Sequence, residues 1–139
     1  MSDERATLGA LLRQSRTIAV VGLSPRRDRP SHVVAAYLQE AGYRIVPVRP
    51  GGETILGEPA YPDLRAAAAA ASPIDIVNIF RRADAVPALL DDLLALHPKL
   101  VWMQVGVTHE EVRARLESAG IPVVMNRCLM VDHPWLTST

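Results

Sequence analysis

One cysteine, Cys128, in 139 residues leaves no partner for an internal disulfide and no basis for a zinc site built on several cysteines. Charge of either sign is not in excess. Fifteen basic residues balance fifteen acidic ones, so no global field draws the chain to nucleic acid or to an anionic membrane surface. No run of eighteen apolar residues occurs, and the N-terminus lacks a basic, apolar, small-residue leader; the expectation is a soluble, cytoplasmic protein. His32, His97, His109 and His133 fall on different expected elements without metal-ligand spacing, so no metal site is expected.

What is present is an apolar fraction of 49% against 22% charged residues. A chain of this length buries roughly two thirds of its unfolded surface in one domain. The expectation is a single domain over residues 1–139, its core about 17–133, with no room for a second catalytic domain.

Apolar runs alternate with helical periodicities. Thr17 to Gly22 (TIAVVG), Arg44 to Val48 (RIVPV), Ile74 to Phe80 (IDIVNIF), Leu100 to Val105 (LVWMQV) and Ile121 to Met125 (IPVVM) read as five strands buried in a parallel sheet. Helices are expected over Asp3 to Gln14, Ser31 to Ala41, Leu64 to Ser72 and Asp84 to Leu96. Another opens on "THEE", Thr108 to Glu111, as a capping box and ends at Gly120. In the second helix Val33, Val34, Tyr37, Leu38 and Ala41 share one face. Arg49 to Pro62 reads as a loop, and Asn126 to Thr139 as irregular chain with one helical turn. The fold class is thus α/β, a doubly wound, Rossmann-like and mostly parallel five-stranded sheet with helices on both faces.

In such a sheet a ligand lies beyond the carboxyl ends of the strands, where strand order reverses. Five segments qualify: Leu23 to Ser31, Arg49 to Gly52, Arg81 to Asp84, Gly106 to His109 and Asn126 to Cys128. They hold seven of the fourteen arginines, namely Arg26, Arg27, Arg29, Arg49, Arg81, Arg82 and Arg127. Guanidinium groups offer multidentate donors to phosphate oxygens, so the ligand expected is anionic. In "VVGLSPRRDRPS", Val20 to Ser31, the hydroxyls of Ser24 and Ser31 and the loop backbone supply further donors. Pro30 sets the entry into a helix whose N-terminus favours negative charge. Ser31 also reads as the cap of that helix.

A dinucleotide fingerprint needs three glycines here and an acid about twenty residues on. The loop has one glycine, Gly22, and the end of the second strand carries Pro47, Val48 and Arg49. Arg49 suits a phosphorylated ribose, as in NADP or coenzyme A (CoA).

The blocks "AVVGLSPRRDRPSHVVAAYLQEAGYRIVPVRPG", "GEPAYPDL", "DIVNIFRR", "VWMQVGV" and "VVMNRCLMVDH" resemble the small single-domain CoA-binding proteins, whose fold is similar to the CoA-binding domain of the succinyl-CoA synthetase alpha subunit. The likeness covers nearly all of Thr17 to His133. It implies CoA as the ligand, with its ADP portion against the first loop and the ends of the second and third strands. On matching positions, Gly22, Leu23, Ser24 and Ser31 face the phosphates and Arg29 neutralises them. Pro47, Val48 and Arg49 lie beside the adenosine, with Arg49 at the 3′-phosphate. Phe80 and Arg81 flank the nucleotide or the pantetheine arm, and Gln104, Gly106, Asn126 and Arg127 follow the path of that arm. The synthetase carries its phosphorylated catalytic histidine on a further domain, so the likeness implies recognition without ligase chemistry.

Other readings stay open. Phe80 also suits a strand-end core position, and His32, which opens a helix near the expected phosphates, lacks a partner acid or nucleophile. Cys128 is either an inert buried thiol or the contact for the CoA thiol, open to a mixed disulfide. Trp102 and Trp135 fit the core or a homodimer surface in the C-terminal segment. The function expected is that of a CoA or acyl-CoA binding protein, non-catalytic and regulatory, with no catalytic residues. The alternatives are an NADP-binding oxidoreductase and a scaffold with a vestigial nucleotide pocket.

Overall fold

The computed structural model describes residues 4–138; Asp3, the expected start of the first helix, and Thr139 lie outside the described residues. Five parallel strands form the central sheet: β1 Thr17–Val21, β2 Arg44–Val48, β5 Ile76–Ile79, β6 Leu100–Met103 and β7 Val123–Val124, in the order β2-β1-β5-β6-β7. A small antiparallel hairpin, β3 Thr54–Ile55 with β4 Glu58–Pro59, stands apart from it.

Successive side chains of a strand face opposite ways, and here both faces are apolar. Ile18 lies level with Ile45 and Ile76. These three pack with Leu100 and Trp102 under α1 Glu4–Gln14, α2 Pro30–Glu40 and α6 Leu129–Thr137. Ala19, Val21, Val46, Val77 and Val101 point the other way, under α3 Leu64–Ala71, α4 Leu90–Leu96 and α5 Glu110–Ser118. The result is the doubly wound α/β sheet with helices on both faces. Among the described residues no helix is long and apolar enough to cross a membrane.

The structure corrects several local expectations. The stretch expected to be irregular, Asn126 to Thr139, contains the nine-residue helix α6. It packs on α1 where Gly9 meets it so closely that a Cβ would stand 2.3 Å from the Leu136 carbonyl oxygen. The loop Arg49 to Pro62 contains the hairpin, turned at Leu56 and Gly57 with φ of 54° and 78°, the two positive values of a type I′ turn. The helix expected from Asp84 begins as a 3-10 segment, Ala83–Leu89, which carries Pro87 and joins α4. Pro87 has no N–H to give to an α-helical ladder. Strand five shortens to Val123–Val124, because Pro122 likewise lacks the ladder donor.

Two caps also move. The residue that caps α2 is Arg29, without a side-chain cap bond, and Pro30 takes the first turn; Ser31 sits inside the helix. Helix α5 is capped by His109, whose Nδ1 accepts from Val112 N–H at 3.2 Å, in place of Thr108. Val33 and Ala41 are exposed, so the inward face of α2 is Val34, Ala35 and Leu38. Trp102 is fully buried, whereas Trp135 is 51% exposed.

Candidate functional site

Strand order reverses between β1 and β5, and the chains leaving those strands diverge to opposite faces. Divergence opens a crevice at the carboxyl edge. Gly22, the first residue past β1, stands in the gap: its N–H donates to the Val48 carbonyl at 2.9 Å. Its φ is +88°, and a Cβ there would lie 2.2 Å from the Phe80 carbonyl oxygen. Glycine is therefore required by both conformation and space. The crevice has a volume of about 1100 Å³ and is bounded by the loop after β1, the ends of β5 and β6, and the first turn of α6.

Its near half is rich in donors. The Ser24 N–H donates to Ser31 Oγ at 2.9 Å, and the Ser24 carbonyl accepts from His32 Nδ1 at 2.9 Å. These bonds pin the loop onto the first turn of α2 and leave the Ser31 hydroxyl proton free to donate. The positive end of the α2 dipole opens at the same place. Arg29 and Arg81 line the crevice with no carboxylate partner among the described residues, and Arg81 Nε is buried without any hydrogen-bond partner. By contrast Arg26 pairs with Asp28, and Arg82 with Asp84.

Arg49 also lines the crevice, but Glu53 Oε1 stands 3.6 Å from its Nε. Sequence reasoning placed no acid at the end of β2. The chain turns back after Gly51 and Gly52, so a carboxylate four residues on reaches the same spot. Any anion that engages Arg49 competes with Glu53.

Away from these donors the wall is mostly apolar, formed by Val105, Val107 and Met130, while Val33 in the first turn of α2 adds an apolar side chain beside the donors. One polar group interrupts it. Gln104, only 5% exposed, accepts at Oε1 from Leu129 N–H at 3.0 Å and from Asn78 Nδ2 at 3.1 Å. Asn78 Nδ2 also donates to the Trp102 carbonyl at 3.2 Å. A backbone N–H can only donate and a carbonyl can only accept, so the orientations of both amides are fixed. The Gln104 amide nitrogen is left toward the crevice with no partner among the described residues. Cys128, half-buried and free, lines the wall beside it. Among the described residues no group of three or more His, Cys, Asp or Glu is placed to hold a metal ion.

The structure thus gathers Gly22, Ser24, Arg29, Ser31 and Arg49 with Phe80, Arg81, Gln104, Gly106 and Cys128 around one crevice. It does not bring all the expected residues there. Leu23 turns its side chain into the core, and Pro47 and Val48 are buried in the sheet. Asn126 and Arg127 brace the rim from behind. Asn126 Oδ1 accepts from Gly106 N–H at 2.7 Å, while Arg127 pairs with Asp132 and lies 6.0 Å over the Trp102 ring. Val33, Val105 and Met130 escaped sequence reasoning, and Val107 lay in the expected segment Gly106 to His109 without being singled out, because an apolar side chain carries no sign that it will border a ligand.

The family model described as a CoA binding domain matches residues 16–134. A curated protein of Bacillus subtilis strain 168, named uncharacterized protein YneT, is 40% identical over 132 residues, covering 95% of this chain and 96% of its own. The structure described as cell-free ID.343 from Thermus thermophilus superposes with a TM-score of 0.89 at 45% identity, covering 98% of this chain and 99% of the other. A dinucleotide-forming acetyl-coenzyme A synthetase from Ca. Korarchaeum cryptofilum shares the fold over 83% of this chain and 27% of its own, with a TM-score of 0.65 and 22% identity.

Proposed function

Since the chain belongs to the CoA-binding domain family, we propose that its crevice binds CoA or an acyl-CoA and that the protein is a non-catalytic, regulatory recognition module. The observation that carries this reading is Arg81: a guanidinium at the strand-order reversal whose Nε is buried without a partner. A buried unpaired donor costs about 1–3 kcal/mol or more, and an anionic oxygen of a ligand removes that cost.

The remaining residues fit the same ligand. Arg29 and Arg81 would neutralise the diphosphate, and the Ser31 hydroxyl and the N-terminal end of α2 would donate to it. Gly22 lets the phosphates come close to the backbone. Arg49 would hold the ribose 3′-phosphate once Glu53 gives way, with Phe80 beside the nucleotide. The apolar wall suits the pantetheine arm, and Gln104 would donate to an amide carbonyl along it. CoA brings a thiol to the far end, and the chain supplies binding and orientation there.

Calorimetric titration with CoA, dephospho-CoA, NADP and NAD at one fixed salt concentration tests the reading. CoA is expected to bind tightest and dephospho-CoA more weakly. A preference for NADP would replace this reading by that of a nicotinamide-dependent oxidoreductase. Absence of heat from all four would leave a scaffold whose crevice takes no nucleotide.

A further inference from the structure

We propose that Cys128 and Gln104 form a thiol-exchange site at the far end of the crevice, at which Cys128 is joined to CoA as a mixed disulfide; this rests on the CoA-binding reading above. Cys128 is the chain's sole cysteine, is free and half-buried, and lines the crevice. The second observation is Gln104. Its carboxamide is held by two accepted hydrogen bonds, one from the residue next to Cys128. Its NH₂ group is left to donate into an otherwise apolar wall, and the residue is only 5% exposed. Such a donor calls for a carbonyl oxygen beside the cysteine, and the last amide of a pantetheine arm, whose nitrogen is joined to the sulfur by two methylene carbons, carries one.

Reach agrees with this. Arg127 N–H donates to the Met103 carbonyl and Leu129 N–H to Gln104 Oε1, which sets Cys128 over the end of β6, two inter-strand spacings from the phosphate donors at the β1 end in the order β1-β5-β6, about 10 Å. A pantetheine arm, two amides with short linkers, extends on the order of 15 Å by standard bond lengths. A sulfur held by its phosphates at one end therefore arrives at the cysteine at the other.

The co-reactant is a disulfide of CoA. The Cys128 thiol gives its proton to water, and the thiolate attacks one sulfur of that disulfide. A bond forms between the two sulfurs as the original S–S bond breaks, and one CoA leaves as the thiolate and takes up a proton. Cys128 is oxidised and the departing CoA is reduced. A small thiol reverses the exchange.

The experiment is intact-mass analysis of the wild type and Cys128→Ser during exposure to CoA disulfide and, separately, to glutathione disulfide at equal concentration. The same two proteins are titrated calorimetrically with CoA. The wild type is expected to gain one CoA less two hydrogens, to lose it with dithiothreitol, and to react at least about tenfold faster with CoA disulfide than with glutathione disulfide, as positioning demands. Cys128→Ser should gain nothing. Gln104→Glu, which keeps the two accepted bonds but loses the free NH₂, should lower the CoA rate toward the glutathione rate. Binding of CoA without any adduct on the wild type, or equal rates with both disulfides, overturns the exchange site alone. No CoA heat from either protein overturns the binding reading beneath it.

Discussion

Arg49 illustrates how much a single neighbour changes what a residue does. In sequence it stands at the end of β2 as an unopposed cation suited to a ribose phosphate. In the structure its side chain is 33% exposed and shares its charge with Glu53 at 3.6 Å. Exposed pairs of this sort are worth about 1 kcal/mol or less, so a phosphate can displace the carboxylate at modest cost. Arg49→Ala is expected to weaken CoA by about 1–2 kcal/mol and dephospho-CoA much less. Glu53→Gln is expected to do the reverse, tightening CoA about two- to fivefold with little effect on dephospho-CoA. Titration of both variants with both ligands checks this, and equal changes for the two ligands would mean that Arg49 reads some other part of the molecule. The acid was hidden because its approach depends on the backbone turn at residues 51–52 and on no local pattern.

Among elements, α6 was the least legible. It buries only Leu129 and Leu136 and carries Pro134 in its interior, so neither periodicity nor propensity announces a helix. Distant side chains complete it. Arg5 donates to the Trp135 carbonyl at 2.9 Å and Arg13 to that of Thr137 at 3.3 Å, satisfying acceptors that a helix end leaves open. His133 stands between two tyrosines, with Tyr37 Oη 2.9 Å from Nδ1 and Tyr43 Oη 3.0 Å from Nε2. Because the Tyr43 hydroxyl donates to the Leu12 carbonyl at 2.8 Å, it accepts from Nε2–H, and Tyr37 donates to Nδ1. Burial holds His133 below the ordinary histidine pKa of 6.5 and raises that of Tyr43.

The sign for stability follows. Between the lowered folded value and 6.5 the unfolded chain binds more protons, so stability is full above 6.5 and is lost as pH falls through the folded value. Urea denaturation at a series of pH values should show this decline, and His133→Gln should flatten that part of it. An undiminished slope in the variant would assign the acid sensitivity elsewhere.

For the whole molecule the sequence was a good guide to the sheet and to where its crevice opens. Runs such as TIAVV and LVWM are apolar on both faces, and their alternation with helical segments leaves few topologies. It was a poor guide to which rim charges are available. Of the seven arginines in the five edge segments, Arg26, Arg49, Arg82 and Arg127 are each met by a carboxylate. Arg29 and Arg81 line the crevice unpaired. That division is set by loop conformation and by contacts distant in sequence, so counting arginines overestimates the charge a ligand meets. The global consequence of ligation is measurable by scanning calorimetry. CoA at a hundredfold excess over its Kd should add about 2.7 kcal/mol to the unfolding free energy, raising Tm by roughly 8 °C for a chain of this size. An unmoved Tm at saturating CoA would sink the binding reading.

The close seat of Gly9 on Leu136 means that the first and last helices stand or fall as one cooperative unit. Local opening that lifts α1 also frees α6, and with it the Leu129 amide that anchors Gln104. Opening of α1 and α6 is thereby transmitted to the apolar end of the cleft, whose outer wall rests on the grip between those helices and on the hold of Tyr37 and Tyr43 on His133.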